Sequence, residues 1–393
     1  MLKFLSYQER GILSSLELMR AEITRRIYSL ELSKTRDVQR IHSGAVNCLD
    51  IDPSEGKYLL SGGADSGIVI YDIECRPAPS NFTCSSVCSI SRSNKHAHKY
   101  SVETVQWYPH DTGMFTSSAM DNTLKVWDTN ALVPAEKFTF EKPIYCHNMS
   151  SIAMKHCLIC VGTASSLVTL CDLRNGSSTH TLKGHKGPVM AVKWSNKDEF
   201  QLATSSQDNR VMLWDIRRSK GSLMVLDQHN GEKGAASTAA VSTAHNGHVT
   251  GLCFTSDGLN LLSCGTDDRL RLWDVMTGRN TLINYGKILN NTRRNLKLCV
   301  SSDASDDLVF VPSLSDICVF EIHSGRPVVN LTGHYSRVNA CTFHPLFQEL
   351  YSAGNDSNIL IWEPEIDREL QPTMEDGKKG QKNIADTWSS DED

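Results

Sequence analysis

Five histidines, His42, His98, His185, His245 and His334, each open the same spaced pattern, and that pattern restricts the folds open to the chain. Four residues beyond each stands a valine (Val46, Val102, Val189, Val249, Val338), and five further on a large apolar residue (Ile51, Trp107, Trp194, Phe254, Phe343). At 22 or 23 residues from the histidine comes an aspartate: Asp65, Asp121, Asp208, Asp267 and Asp356. Six residues later lies an aromatic followed by an acid: Tyr71-Asp72, Trp127-Asp128, Trp214-Asp215, Trp273-Asp274 and Trp362-Glu363. Self-similarity at a fixed period of this length marks a repeat architecture.

Within each unit, alternating runs such as Ala191-Val192-Lys193-Trp194 and Arg269-Leu270-Arg271-Leu272-Trp273 read as strands with one buried face. The small polar residues around each aspartate, for example Ser205-Ser206-Gln207-Asp208-Asn209, supply a tight turn between two strands. One such sheet leaves its edges and faces open, and closing a ring of them protects both. The 56 residues from His42 to His98 hold one unit and an insertion, whereas the 87 after His98 and the 89 after His245 each hold two. The extra units surface as Leu167-Val168-Thr169-Leu170-Cys171-Asp172 and Asp316-Ile317-Cys318-Val319-Phe320, which brings the total to seven. After Trp362-Glu363 the chain meets Pro364 and turns acidic, so the last unit has no fourth strand downstream. The donor expected from the sequence is the stretch Thr35–Ile41, joining first and last units.

Over roughly residues 38–363 this pattern resembles the WD-repeat family, which implies an all-β fold: a seven-bladed β-propeller. In that family the turn aspartate, the histidine, a strand Ser or Thr and the Trp form a buried hydrogen-bond network. The resemblance therefore implies structural roles for His42, Asp65, His98, Asp121, Trp127, His185, His245, Asp267, Trp273, His334, Asp356 and Trp362. A hydrolase triad such as His185, Ser205 and Asp208 is the competing reading. Five copies argue against it, since an enzyme needs one nucleophile, and the chain has no Gly-x-Ser-x-Gly elbow. Cys157 and Cys160, three apart in a strand, point to opposite faces and do not form a zinc pair. His96 with His98 and Cys84 with Cys88 lack a matching second pair, and Gly62-Gly63-Ala64-Asp65 lacks the Lys-Ser/Thr of a phosphate loop. Neither catalysis, metal nor cofactor is expected.

Net charge is −5, and residues 364–393 alone carry nine acidic and four basic side chains, so the body is near neutral. A near-neutral body is a poor match for nucleic-acid phosphates, and no direct specific nucleic-acid binding is expected. Thirteen cysteines, an odd number without a framework pattern, suit a reduced interior in which thiols fill small core positions. No leader-like apolar run follows Met1, and no stretch approaches a membrane span, so no membrane partner is expected.

Three departures from plain repeats point to protein partners. The first is a helix: Ser14-Ser15-Leu16-Glu17 fits a capping box, and Leu16, Met19, Ile23, Ile27 and Leu30 follow as one apolar stripe. That stripe packs either on the chain's own propeller or into a groove of another protein. The second is the arginine after Trp214-Asp215-Ile216, Arg217, matched one unit earlier by Arg174 in Asp172-Leu173-Arg174. With Asp208, Trp214 and Asp215 it resembles the WDxR box of substrate receptors for cullin–RING ubiquitin ligases that use the damaged-DNA-binding adaptor. The third is the acidic tail ending Trp388-Ser389-Ser390-Asp391-Glu392-Asp393, which has the composition of a disordered segment.

The stretch Val105-Gln106-Trp107-Tyr108-Pro109-His110-Asp111, the segment Leu226-Asp227-Gln228-His229-Asn230-Gly231 and the Trp388-Ser389-Ser390 tail resemble the Cockayne syndrome group A family of WD-repeat receptors nearly end to end. The resemblance implies a nuclear receptor in transcription-coupled excision repair. It would link the adaptor, through Leu16, Met19, Ile23, Arg174, Asp208, Trp214, Asp215 and Arg217, to the Cockayne syndrome group B ATPase, RNA polymerase II and repair factors. On this reading the chain divides into a helical docking segment (1–34), the propeller (35–363) and a disordered tail (364–393), with a mobile loop at 229–244. The alternative is a WD-repeat scaffold of another nuclear assembly.

Overall fold

The computed structural model describes residues 10–11, 14–74, 82–218, 221–231, 242–302 and 307–365. The acidic tail beyond residue 365 and the middle of the 229–244 loop lie outside the described residues.

Seven antiparallel sheets follow one another along the chain as blades of a ring. Their inner strands are Val46–Ile51, Val102–Trp107, Ile144–Met149, Val189–Trp194, Val249–Phe254, Cys299–Val300 and Val338–His344. The two units inferred from spacing are present: Leu167–Asp172 is the third strand of blade 3, and Asp316–Glu321 the third strand of blade 6. In six blades the inner strand carries a register irregularity just after its first residue, as between Val46 and Cys48 or Val249 and Gly251. Such bulges raise local twist, which splays one blade from the next.

Apolar packing explains why the ring needs every blade. The buried hydrophobics fall into seven clusters, and each cluster joins two neighbours: Trp107, Phe115 and Trp127 pack against Leu60 and Ile70, and so on around to Tyr351 and Ile361 against Leu49 and Tyr71. This last cluster closes the circle between blades 7 and 1. Third-strand residues thus pack on the following inner strand, and the side chains of a single sheet have no core of their own.

Closure by strand exchange corrects the sequence expectation. The outer strand of blade 7 is Leu30–Leu32, paired antiparallel to Ile359–Pro364, and the ladder is extended by Ser33 N–H to Ile361 O (2.9 Å) and Glu365 N–H to Ser29 O (3.0 Å). The expected donor, residues 35–41, instead supplies Arg36–Val38, which runs parallel to Phe82–Cys84 beside blade 1. Helix α1 (Ser15–Tyr28) takes up the chain before the closing strand, so pairing begins only at Ser29 and Leu30. Leu30–Leu32 and Pro364 therefore belong to the propeller's last sheet, not to the flanking segments.

Helix α1 starts as its sequence requires. Ser14 is the N-cap, with Glu17 N–H donating to Ser14 Oγ at 3.2 Å and Ser14 N–H to Glu17 Oε2 at 2.9 Å. Its apolar stripe divides. Ile23, Ile27 and Leu30 are buried against Phe310, Val338 and Trp362 at the seam of blades 6 and 7, while Leu16 and Met19 are each 53% exposed.

Candidate partner-docking site

The hydrogen-bond network inside the blades accounts for most of the repeated polar residues. In blade 5, His245 Nδ1 lies 2.8 Å from Asp267 Oδ1 and its Nε2 2.7 Å from Ser263 Oγ, which also accepts the Trp273 indole N–H at 2.8 Å. With Nδ1–H donating to the carboxylate, Nε2 accepts the hydroxyl proton, and the hydroxyl oxygen accepts from the indole, so one neutral tautomer serves Asp267, Ser263 and Trp273 together. The same set recurs as His98, Asp121, Ser117 and Trp127, and as His334, Asp356, Ser352 and Trp362. In blade 1, His42 bridges Asp65 and Ser61. In blade 4, His185 joins Asp208 and Thr204, and Trp214 donates to the Thr204 hydroxyl at 2.7 Å. Ser205, the nucleophile of the rejected triad, faces the other way and donates to Val249 O. The residue after each turn aspartate (Ser66, Asn122, Asn209, Asp268, Ser357) has positive φ, which sets the tight turn that aims the carboxylate back at the histidine.

Two residues assigned to a docking box by the sequence are thereby spent inside the blade. Asp208 holds His185 in the turn before strand Val211–Asp215, at the opposite end from Arg217, and Trp214 is 1% exposed. Trp214 presents no surface to a partner, and Asp208, only partly buried, lies on the face opposite Arg217. Ile23 is likewise consumed by the chain's own core.

What does reach the surface is set by the acid that ends each third strand. Asp72, Asp128, Asp172, Asp215 and Asp274 each accept the backbone N–H two residues on, at 2.8–3.0 Å, turning the chain so that residue projects at the rim. In blades 3 and 4 those residues are Arg174 and Arg217. Arg217 is fixed: Nε donates to Asp215 Oδ1 (2.9 Å), Nη2 to Asp215 Oδ2 (2.8 Å), and Nη2 also to Asp198 Oδ2 (3.2 Å). Its guanidinium lies 4.7 Å from the centre of the Phe200 ring, a cation–π distance. The hydrogen bonds from Arg217 hold the Asp215 carboxyl below its ordinary range. Among the described residues the Arg174 side chain makes no comparable ion pair.

Arg217 lines an open groove of about 800 Å³ that spans blades 3, 4 and 5. Its floor and walls include Phe200, Ile152 and Leu259, and its rim carries Met154 and Met276, 80% and 74% exposed. Glu199 ties the blade 3 side to blade 4 by accepting the N–H groups of Met154 and Lys155, which holds its carboxyl below the ordinary range. Exposed methionines beside a pre-oriented arginine are the side chains that partner-binding surfaces favour. Sequence reasoning found Arg217 but not Phe200 or Met154, which lie in loops between strands and carry no repeat register, nor Met276, which holds Arg217's place in blade 5 without its charge.

Register also places α1 relative to this groove. Leu30 pairs with Pro364, the end of a third strand, and Tyr28 hydroxyl donates to Glu321 at the end of another. Arg217 likewise follows a third strand's end, so the helix and the groove stand on the same face of the ring.

Comparison with known proteins agrees with the architecture. The WD domain, G-beta repeat model matches residues 34–72, 86–128, 176–215, 238–274 and 325–363, the segments that contain the five His–Asp pairs. The chain is 36% identical to the WD repeat-containing protein ATCSA-1 of Arabidopsis thaliana, over 87% of this chain and 90% of that protein. It is 26% identical to Autophagy-related protein 16 of the same plant (72% of this chain, 59% of that protein). Against Histone acetyltransferase type B subunit 2 of Debaryomyces hansenii it is 25% identical (64% and 58%).

Proposed function

The chain belongs to the WD-repeat family, and on that premise we propose that it is a substrate-recognition subunit of a cullin–RING ubiquitin ligase, of the Cockayne syndrome group A type. The observation that carries this reading is the Arg217 groove, which shares one face of the ring with the exposed Leu16 and Met19 of α1. A locked guanidinium makes directed hydrogen bonds at little entropic cost, and an apolar helix end fits a partner's groove. In this role the damaged-DNA-binding adaptor docks on that face through the helix and Arg217. The opposite face takes the Cockayne syndrome group B ATPase and RNA polymerase II with its repair factors, in the nucleus. Ubiquitin transfer belongs to other subunits, and this chain supplies proximity and orientation. The name of the Arabidopsis relative, similar along nearly its full length, supports the same reading.

Capture on purified, immobilised adaptor tests the proposal. Wild-type chain is retained, whereas Arg217→Ala and the pair Leu16→Ser with Met19→Ser are released with unchanged melting temperatures. Full retention of both variants would assign the chain to a scaffold of another assembly.

A further inference from the structure

The channel through the ring carries a charge arrangement that the docking face does not explain. Asp50, Lys193 and Lys297 line two adjoining cavities on its axis, of about 280 and 50 Å³. Lys297 donates to Leu49 O (3.3 Å) and Val105 O (3.1 Å), which leaves one N–H of its ammonium without a partner among the described residues. Lys193 has neither a hydrogen bond nor an ion pair from its side chain among them. Asp50 Oδ2 accepts the Trp107 N–H at 2.8 Å and lies outside ion-pair range of both lysines.

Burial lowers the Lys297 ammonium and raises the Asp50 carboxyl, so the channel sets two lysines against a single acid. Other titratable groups on its walls do not balance them. His147 is driven down to about 3 by burial and by the neighbouring lysines, so it is neutral. Burial pushes the Cys253 thiol up to about 11 and that of Cys299 well above its ordinary range, so both stay protonated. Low-dielectric walls around an excess of one sign focus its field and concentrate counter-ions.

We propose that the central channel is an oxyanion site that takes a phosphate group, held between Lys193 and Lys297. The larger cavity exceeds a monatomic ion, and the hydroxyls of Thr342 and Ser302 on its wall offer further donors to an anion with several oxygens. Lysine ammoniums serve phosphate as point charges. Asp50 opposes the bound group and sets its affinity low.

Melting of the full-length chain in inorganic phosphate, in glycerol phosphate and in chloride at matched ionic strength tests this. Phosphate is expected to raise the melting temperature to a plateau, as a ligand of the folded state must. Chloride is expected to do nothing, and the glycerol phosphate arm shows whether a free ion or a phosphomonoester is preferred. Lys193→Gln should abolish the rise, and Asp50→Asn should lower the half-saturating concentration about tenfold. Broadening of the phosphorus resonance on the wild-type and Lys193→Gln chains gives the same comparison without relying on the Asp50 variant. A rise that does not saturate, that chloride matches, or that survives Lys193→Gln overturns the proposal.

Discussion

Leu30 stands opposite Pro364 in an antiparallel ladder, so the last blade borrows its outer strand from the beginning of the fold. A ring closed this way is locked by backbone hydrogen bonds between its two ends, in addition to the apolar seam between blades 7 and 1.

Glu31, facing Glu363 in that ladder, is the place to break the lock. Glu31→Pro removes a strand donor and is expected to cost about 2 kcal/mol of unfolding free energy. Urea titration followed by tryptophan fluorescence measures it; a midpoint equal to that of the parent would mean the exchanged strand does not hold the ring.

The divided stripe of α1 makes a paired prediction. Ile27 is fully buried, so Ile27→Ala should cost about 2–5 kcal/mol. Leu16→Ser with Met19→Ser, both on the exposed half, should shift stability by no more than about 0.5 kcal/mol. Equal losses in calorimetry would place the whole helix in the core.

Ser263 serves His245 and Trp273 at once. Ser263→Ala orphans an indole N–H and an imidazole nitrogen together, at about 2–4 kcal/mol. Ser205→Ala, which removes one bond to Val249 O, should cost about 1 kcal/mol. The reverse order of the two variants in denaturant would contradict the network as described.

Acid should unfold the propeller in two stages. Burial lowers the affinity of His98 and His245 for a proton, and takes His147 down to about 3, whereas the unfolded chain protonates them near pH 6.5. Stability thus begins to fall as pH drops below about 6.5, because only the unfolded state gains those protons. Burial raises the Asp65 carboxyl, but the hydrogen bonds from His42 and from the backbone of Gly67 and Ser43 outweigh it and bring it to about 2; Asp121, Asp208 and Asp267 are lowered by matching hydrogen bonds. Their contribution is present above about pH 4 and is lost between about 4 and 2. A melting temperature that stays level from pH 7 to 3 would refute the assignment.

Arg217→Lys separates charge from geometry. An ammonium keeps the charge but not the two-pronged contact with Asp215, nor the stacking on Phe200. Adaptor affinity, read by titration calorimetry, should drop about tenfold, equivalent to about 1.4 kcal/mol. Unaltered affinity would leave charge alone as the requirement.

Much of this is legible in the residues alone. Spacing located seven blades, including the third and sixth, where Cys171 and Phe320 stand in place of the repeated Trp. The helix cap at Ser14 and Glu17 was equally readable, since it depends on four adjacent residues. Arg217 could be singled out because the turn built by Asp215 is local. Asp208 and Trp214 misled, because residues that recur with a surface arginine can still point into the sheet.

The blade is written locally: strand alternation, the turn after each aspartate and the His–Asp–Ser/Thr–Trp bonds are all made within one short segment, so spacing encodes them. Packing in three dimensions sets where the ring closes, which half of the α1 stripe is buried, that Phe200 lies beneath Arg217, and that Lys193 and Lys297 line one cavity. Those relationships join segments far apart in the chain. They are fixed by how seven blades pack and by what surface remains, and no local period carries that information.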